Sequence, residues 1–95
     1  LTQQLPAIGQ HSAYYAVLAA SYMQASRFYE AQGIYQELIA VDPGNANFWL
    51  GIAIVQEHLG RLSAAHTSYE NAVTDAEPGW PGVGFIEKRL DKFVL

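Results

Sequence analysis

Shifted by 34 residues, the chain matches itself. Ala19 falls on Ala53, Arg27 on Arg61, Ala31 on Ala65 and Tyr35 on Tyr69. Size is kept at Tyr15 and Trp49, Leu18 and Ile52, Phe28 and Leu62, and Ile39 and Val73. One extra residue after Val73 brings Pro43-Gly44 onto Pro78-Gly79 at a shift of 35. Such a period marks stacked units, each too small to bury its apolar face alone.

Each copy reads as two helices. Tyr15, Leu18, Ala19 and Tyr22 share one helical face, and so do Phe28, Ala31, Tyr35 and Leu38. Gln24-Ala25-Ser26-Arg27 is a short polar join. Asp42-Pro43-Gly44-Asn45 is a stop, because proline cannot continue a helix, and Asn45 can cap the next one. Trp49, Ile52, Ala53 and Gln56 open the second copy, and Gly60 suits the position after a helix end. Leu62, Ala65, Tyr69 and Ala72 mark the return helix, with Ser63 as its expected N-cap. Gly79-Trp80-Pro81-Gly82 is a turn, with Pro81 suited to a first helical position. Val83, Ile86, Leu90 and Phe93 then predict an amphipathic capping helix with a wetted outer face. No stretch alternates as a strand would. The predicted organisation is all-α in a single domain: an extension over 1–11, extended or frayed, helix pairs over 12–44 and 45–79, and the cap over 80–95.

This residue order resembles the tetratricopeptide repeat, across residues 12–79. The first copy supplies Tyr15, Leu18, Ala19, Tyr22, Ser26, Phe28, Ala31, Tyr35, Leu38 and Pro43. The second supplies Trp49, Ile52, Ala53, Gln56, Gly60, Leu62, Ala65, Tyr69, Ala72 and Pro78. Leu38 stands where that family has a small residue, and Gln56 where it has an aromatic. The resemblance implies an α-solenoid of two helix pairs in a right-handed stack. More narrowly, Phe28-Tyr29-Glu30-Ala31, Phe48-Trp49-Leu50-Gly51 and Glu77-Pro78-Gly79-Trp80-Pro81 resemble type III secretion chaperones. These escort translocator proteins and hold an extended client segment in a concave groove. They are bacterial and cytoplasmic.

Composition excludes several classes. Apolar residues are 51% and charged residues 15%, so the chain is no disordered tail. Net charge is −4, and residues 1–87 hold two arginines against eight acids, a local net of −6. Nucleic acid is an improbable partner for that surface. No apolar run is long enough to span a membrane. Cysteine is absent, which removes thiolate chemistry. His58 and His66 lie eight apart on different predicted helices, without metal-ligand spacing. No strand-to-helix elbow supports Ser63 or Ser68 as a nucleophile. The glycines at 79, 82 and 84 have the wrong order for a dinucleotide loop. Neither catalysis nor a cofactor or metal is expected.

What remains is surface. The resemblance places Ala16, Val17, Ala20, Met23 and Gln24 of the first unit on the concave, peptide-binding side. From the second unit it places Leu50, Gly51, Ile54, Glu57 and His58 there. None of these is Lys, Arg or Asn, so a carboxylate clamp has no positive charge to work with. The expected ligand is an extended apolar segment of a protein client. Tyr14 and Tyr29 fall outside the repeat-core positions and are expected to be available to a partner. The competing readings are a homodimeric scaffold and part of a longer repeat protein.

Overall fold

The computed structural model describes residues 11–91. Five helices follow one another: α1 (Ser12–Gln24), α2 (Phe28–Val41), α3 (Ala46–His58), α4 (Leu62–Asp75) and α5 (Gly82–Asp91). No strand occurs among the described residues. Each helix packs on the next. The expected extension over 1–11 lies outside the described residues, apart from His11, and so does Phe93.

The 34-residue period holds in the backbone as well as in the residues. α1 and α3 are both 13 residues long, and α2 and α4 are both 14. The Ser26 N–H donates to the Met23 carbonyl and the Arg27 N–H to Tyr22. In the second join the Gly60 N–H donates to Glu57 and the Arg61 N–H to Gln56. These bonds satisfy carbonyls that a helix end otherwise leaves unpaired. They require a left-handed residue between the helices, which is Ser26 (φ 61°) in one copy and Gly60 (φ 79°) in the other. Serine carries a Cβ into that region, so the first join is the more strained.

Capping differs from expectation in two places. Asn45 does cap α3, its Oδ1 accepting from the Asn47 N–H at 3.0 Å. Ser63 is not the cap of α4, because the left-handed Gly60 lets the helix start at Leu62 and leaves Arg61 in the cap position. Pro81 lies in the turn before α5 rather than in its first turn.

Two apolar clusters form the interior. The first joins Tyr15, Ala19, Ala31, Tyr35, Leu38, Phe48, Ile52 and Val55. The second joins Ala53, Ala65, Tyr69, Ala72 and Ile86. The alanines at 19, 31, 53 and 65 have no exposed surface, which lets each helix pair approach closely. Leu38, in a position expected to be small, is fully buried. Trp49 packs against both clusters and so links the units. Its indole N–H donates to the Pro43 carbonyl at 2.8 Å, and that of Trp80 to Asn47 Oδ1 at 2.9 Å. These bonds tie the α2–α3 and α4–α5 loops to the start of α3.

The second copy departs from the first at one internal pair. Tyr22 and Ile34 of the first hairpin correspond to Gln56 and Ser68 of the second. The Ser68 hydroxyl donates to Gln56 Oε1 at 2.7 Å, so a polar pair satisfies itself inside the hairpin. Leu62 also departs, remaining exposed while its counterpart Phe28 is covered by His58.

Candidate functional site: the exposed line of α1

The ten positions expected on one concave wall divide between two environments. On α1, Val17, Ala20 and Gln24 are exposed, and Val17 at 67% is among the most exposed large apolar residues described. Ala16 and Met23 are half-buried against the first cluster. The α1 sequence contains no charged residue. An unsolvated charge therefore never opposes an apolar ligand along this helix.

On α3 the chain itself engages the expected positions. Gly51 is buried, with the Tyr35 ring where a Cβ would stand, so it faces α2 and not an open groove. Leu50 and Ile54 pack against the second cluster, which includes Ile86 of α5. Glu57 accepts a hydrogen bond from the Tyr69 hydroxyl at 2.7 Å. Its Oε1 also lies 3.2 Å from Arg89 Nε, so α5 is ion-paired to α3. Arg89 Nε has no well-aligned acceptor of its own, which makes this contact an ion pair more than a hydrogen bond. His58 stays exposed, stacked on Phe28 with ring centres 4.6 Å apart and planes 5° from parallel. Of the five α3 positions, Gly51 is buried, Leu50, Ile54 and Glu57 are half-buried and His58 is exposed. The capping helix reaches α3 through the Glu57–Arg89 ion pair.

The electrostatics follow from these contacts. Burial, then the bond to Glu57, pushes the Tyr69 hydroxyl up to about 12. The Arg27 guanidinium, bonded to Glu30 at 2.7 Å, holds that carboxyl below its ordinary range. Burial raises the Tyr35 hydroxyl.

Two further hollows were not foreseen. One, of about 350 Å³, lies between α1 and α2 and is lined by Tyr15, Tyr22, Tyr29, Glu30, Gly33, Ile34 and Glu37. Tyr14 and Tyr29, expected to be available, are exposed at 48% and 66%. The other, of about 550 Å³, is polar and lies between the α2–α3 and α4–α5 loops, with Asp42, Asp75 and Glu77 in its wall. Among the described residues no group of His, Cys, Asp and Glu is arranged to hold a metal ion. His66 lies 3.7 Å from Glu70, one helical turn away on α4. Among the same residues no helix is long and apolar enough to cross a membrane. No family model matches this sequence, and no curated protein matches it.

Proposed function

We propose that the chain is a non-catalytic protein-interaction module, built as an α-solenoid of two tetratricopeptide-type helix pairs and a capping helix. It holds an extended apolar segment of a client protein along Ala16, Val17, Ala20, Met23 and Gln24. The observation that carries this is the uncharged α1, with Val17, Ala20 and Gln24 open to water. The 34-residue recurrence of helices and joins supports the solenoid.

The narrower resemblance supports a secreted client, kept soluble in the bacterial cytoplasm by having its apolar side chains shielded. Each client CH₂ taken from water contributes about 0.8 kcal/mol. Ordering the segment offsets much of that gain, so binding is moderate and release needs no chemistry. With Gly51 buried and Leu50, Ile54 and Glu57 half-buried, the open line lies mainly on α1, and the segment it takes is correspondingly short.

Titrating the chain with an extended peptide bearing leucine at every third position tests this. Binding should disappear in Ala20→Asp while circular dichroism stays unchanged. Equal binding by Ala20→Asp and the parent chain would refute the site. Leu50→Asp is no test of client contact, because Leu50 is packed against the second cluster and its loss unsettles the fold.

A further inference from the structure

The hollow between α1 and α2 brings three tyrosines, Tyr15, Tyr22 and Tyr29, together with two carboxylates, Glu30 and Glu37. Tyr29, Gly33 and Glu37 are spaced by four residues on α2, so they stand in one row. Gly33 leaves a gap in that row, since nothing lies within 4 Å of where its Cβ would be.

This chemistry belongs to the first hairpin alone. At a shift of 34 the second hairpin has Gln56 for Tyr22, Ser63 for Tyr29, Ala64 for Glu30 and Asn71 for Glu37. Stacking of the repeat does not fill such a place either. Ser63 and Thr67, the counterparts of Tyr29 and Gly33, stay exposed although a hairpin precedes them. A helix packed before α1 in the same way leaves Tyr29 and Gly33 open.

Charge selects what enters. The hollow is lined by two carboxylates and by no basic residue. Outside it, the same rings already attract cations. The guanidinium carbon of Arg27 lies 5.6 Å from the centre of the Tyr22 ring, and that of Arg61 lies 6.0 Å from the centre of the Tyr29 ring. Arg27 also takes Glu30 at 2.7 Å. Glu37 has no ion pair among the described residues.

The scarcity of acceptors narrows the cation further. A primary ammonium has three donors to satisfy and a guanidinium five. Beyond Glu37 and the tyrosine hydroxyls, the wall offers rings, a glycine and an aliphatic side chain, and Glu30 is engaged by Arg27. A quaternary ammonium has no donor to satisfy and is held by ring faces. A volume of about 350 Å³ is at the small end for a ligand pocket, which suits a compact head group.

We propose that this hollow binds the head group of a small quaternary ammonium compound, with Tyr15, Tyr22 and Tyr29 around it and Glu37 balancing its charge. None of Ala16, Val17, Ala20, Met23 and Gln24 lines the hollow, so the site stands or falls apart from the client line. Residues 1–10 contain no lysine or arginine, so charge does not select them as the occupant.

The probes are choline and dimethylbutanol, its uncharged carbon isostere, titrated separately into the isotope-labelled chain at matched ionic strength. Choline should give saturable shifts at Tyr22, Tyr29, Gly33 and Glu37. The isostere should bind roughly tenfold more weakly. Glu37→Gln and Tyr29→Leu, both at exposed positions, should each weaken choline several-fold with helical content kept. Arg27→Gln should tighten it, because Glu30 and the ring of Tyr22 are then released. Equal binding of choline and its isostere overturns the proposal, and so does a lack of saturable shifts. Contacts from residues 1–10 onto Tyr29 and Gly33 that choline does not displace overturn it as well. A peptide carrying trimethyllysine that binds tenfold more tightly than choline would assign the site to a modified partner protein instead of a small compound.

Discussion

The ring of Tyr35 fills the space that a Cβ on Gly51 would need. The ring is itself buried in the first cluster, so it cannot swing clear. Gly51→Ala should therefore destabilise the chain by about 1–3 kcal/mol, as overpacking does. Gly33, on the exposed side of α2, has no neighbour at its Cβ position. Gly33→Ala should stabilise by about 0.5–1 kcal/mol, since the same change there only removes unfolded-state freedom. Urea denaturation of the two variants gives opposite signs if the packing is as described.

Ser26 and Gly60 hold equivalent left-handed positions. Ser26→Gly should raise the thermal midpoint, with a gain of about 1 kcal/mol, and Gly60→Ala should lower it by a similar amount. A neutral Ser26→Gly would mean that the serine is unstrained.

Tyr69 ordinarily ionises near 10.0 and is pushed up to about 12 in the folded chain. Folding thus favours its protonated form. That contribution is fully present below pH 10 and is lost as the pH rises toward 12. Tyr35 moves in the same direction by burial. Alkaline unfolding followed by circular dichroism should show a shallower loss in Tyr69→Phe than in the parent chain. The substitution also frees Glu57 from its hydroxyl donor, so faster amide exchange in α5 is expected if the Glu57–Arg89 pair relies on that geometry.

Gln56→Tyr and Ser68→Ile together convert the second hairpin's polar pair to the first hairpin's apolar one. Each single change strands or crowds the other partner, while the double change restores a matched pair. A double-mutant cycle should give a favourable coupling of about 0.5–3 kcal/mol. Additive losses would show that the two side chains do not act on each other.

Period, helix spans and the buried alanines were legible because each has a local cause. Small residues at 19, 31, 53 and 65 recur at a fixed interval, and Pro43 and Pro78 stop the chain wherever they fall. What lay across helices was not legible. The pattern Val83, Ile86, Leu90 says that α5 buries a face, but not that Arg89 beside it pairs with Glu57 of α3. Nothing near Ser68 in sequence announces Gln56, twelve residues away. The resemblance places Gly51 on the groove side by its register alone, and only the distant Tyr35 shows that it meets α2 instead. Ser63 looked like a cap because its chemistry suits one, yet the left-handed Gly60 had already fixed where α4 begins.

Both tryptophans, Trp49 and Trp80, belong to the latter part of the chain, and Trp49 touches both clusters. As optical reporters they watch the seam between the hairpins and the docking of the last helix. Emission should change when the two hairpins part or the terminal helix lifts. Fraying at the start of α1 should pass unseen by fluorescence, and tyrosine absorbance or a tryptophan introduced at Tyr14 would be needed to observe it.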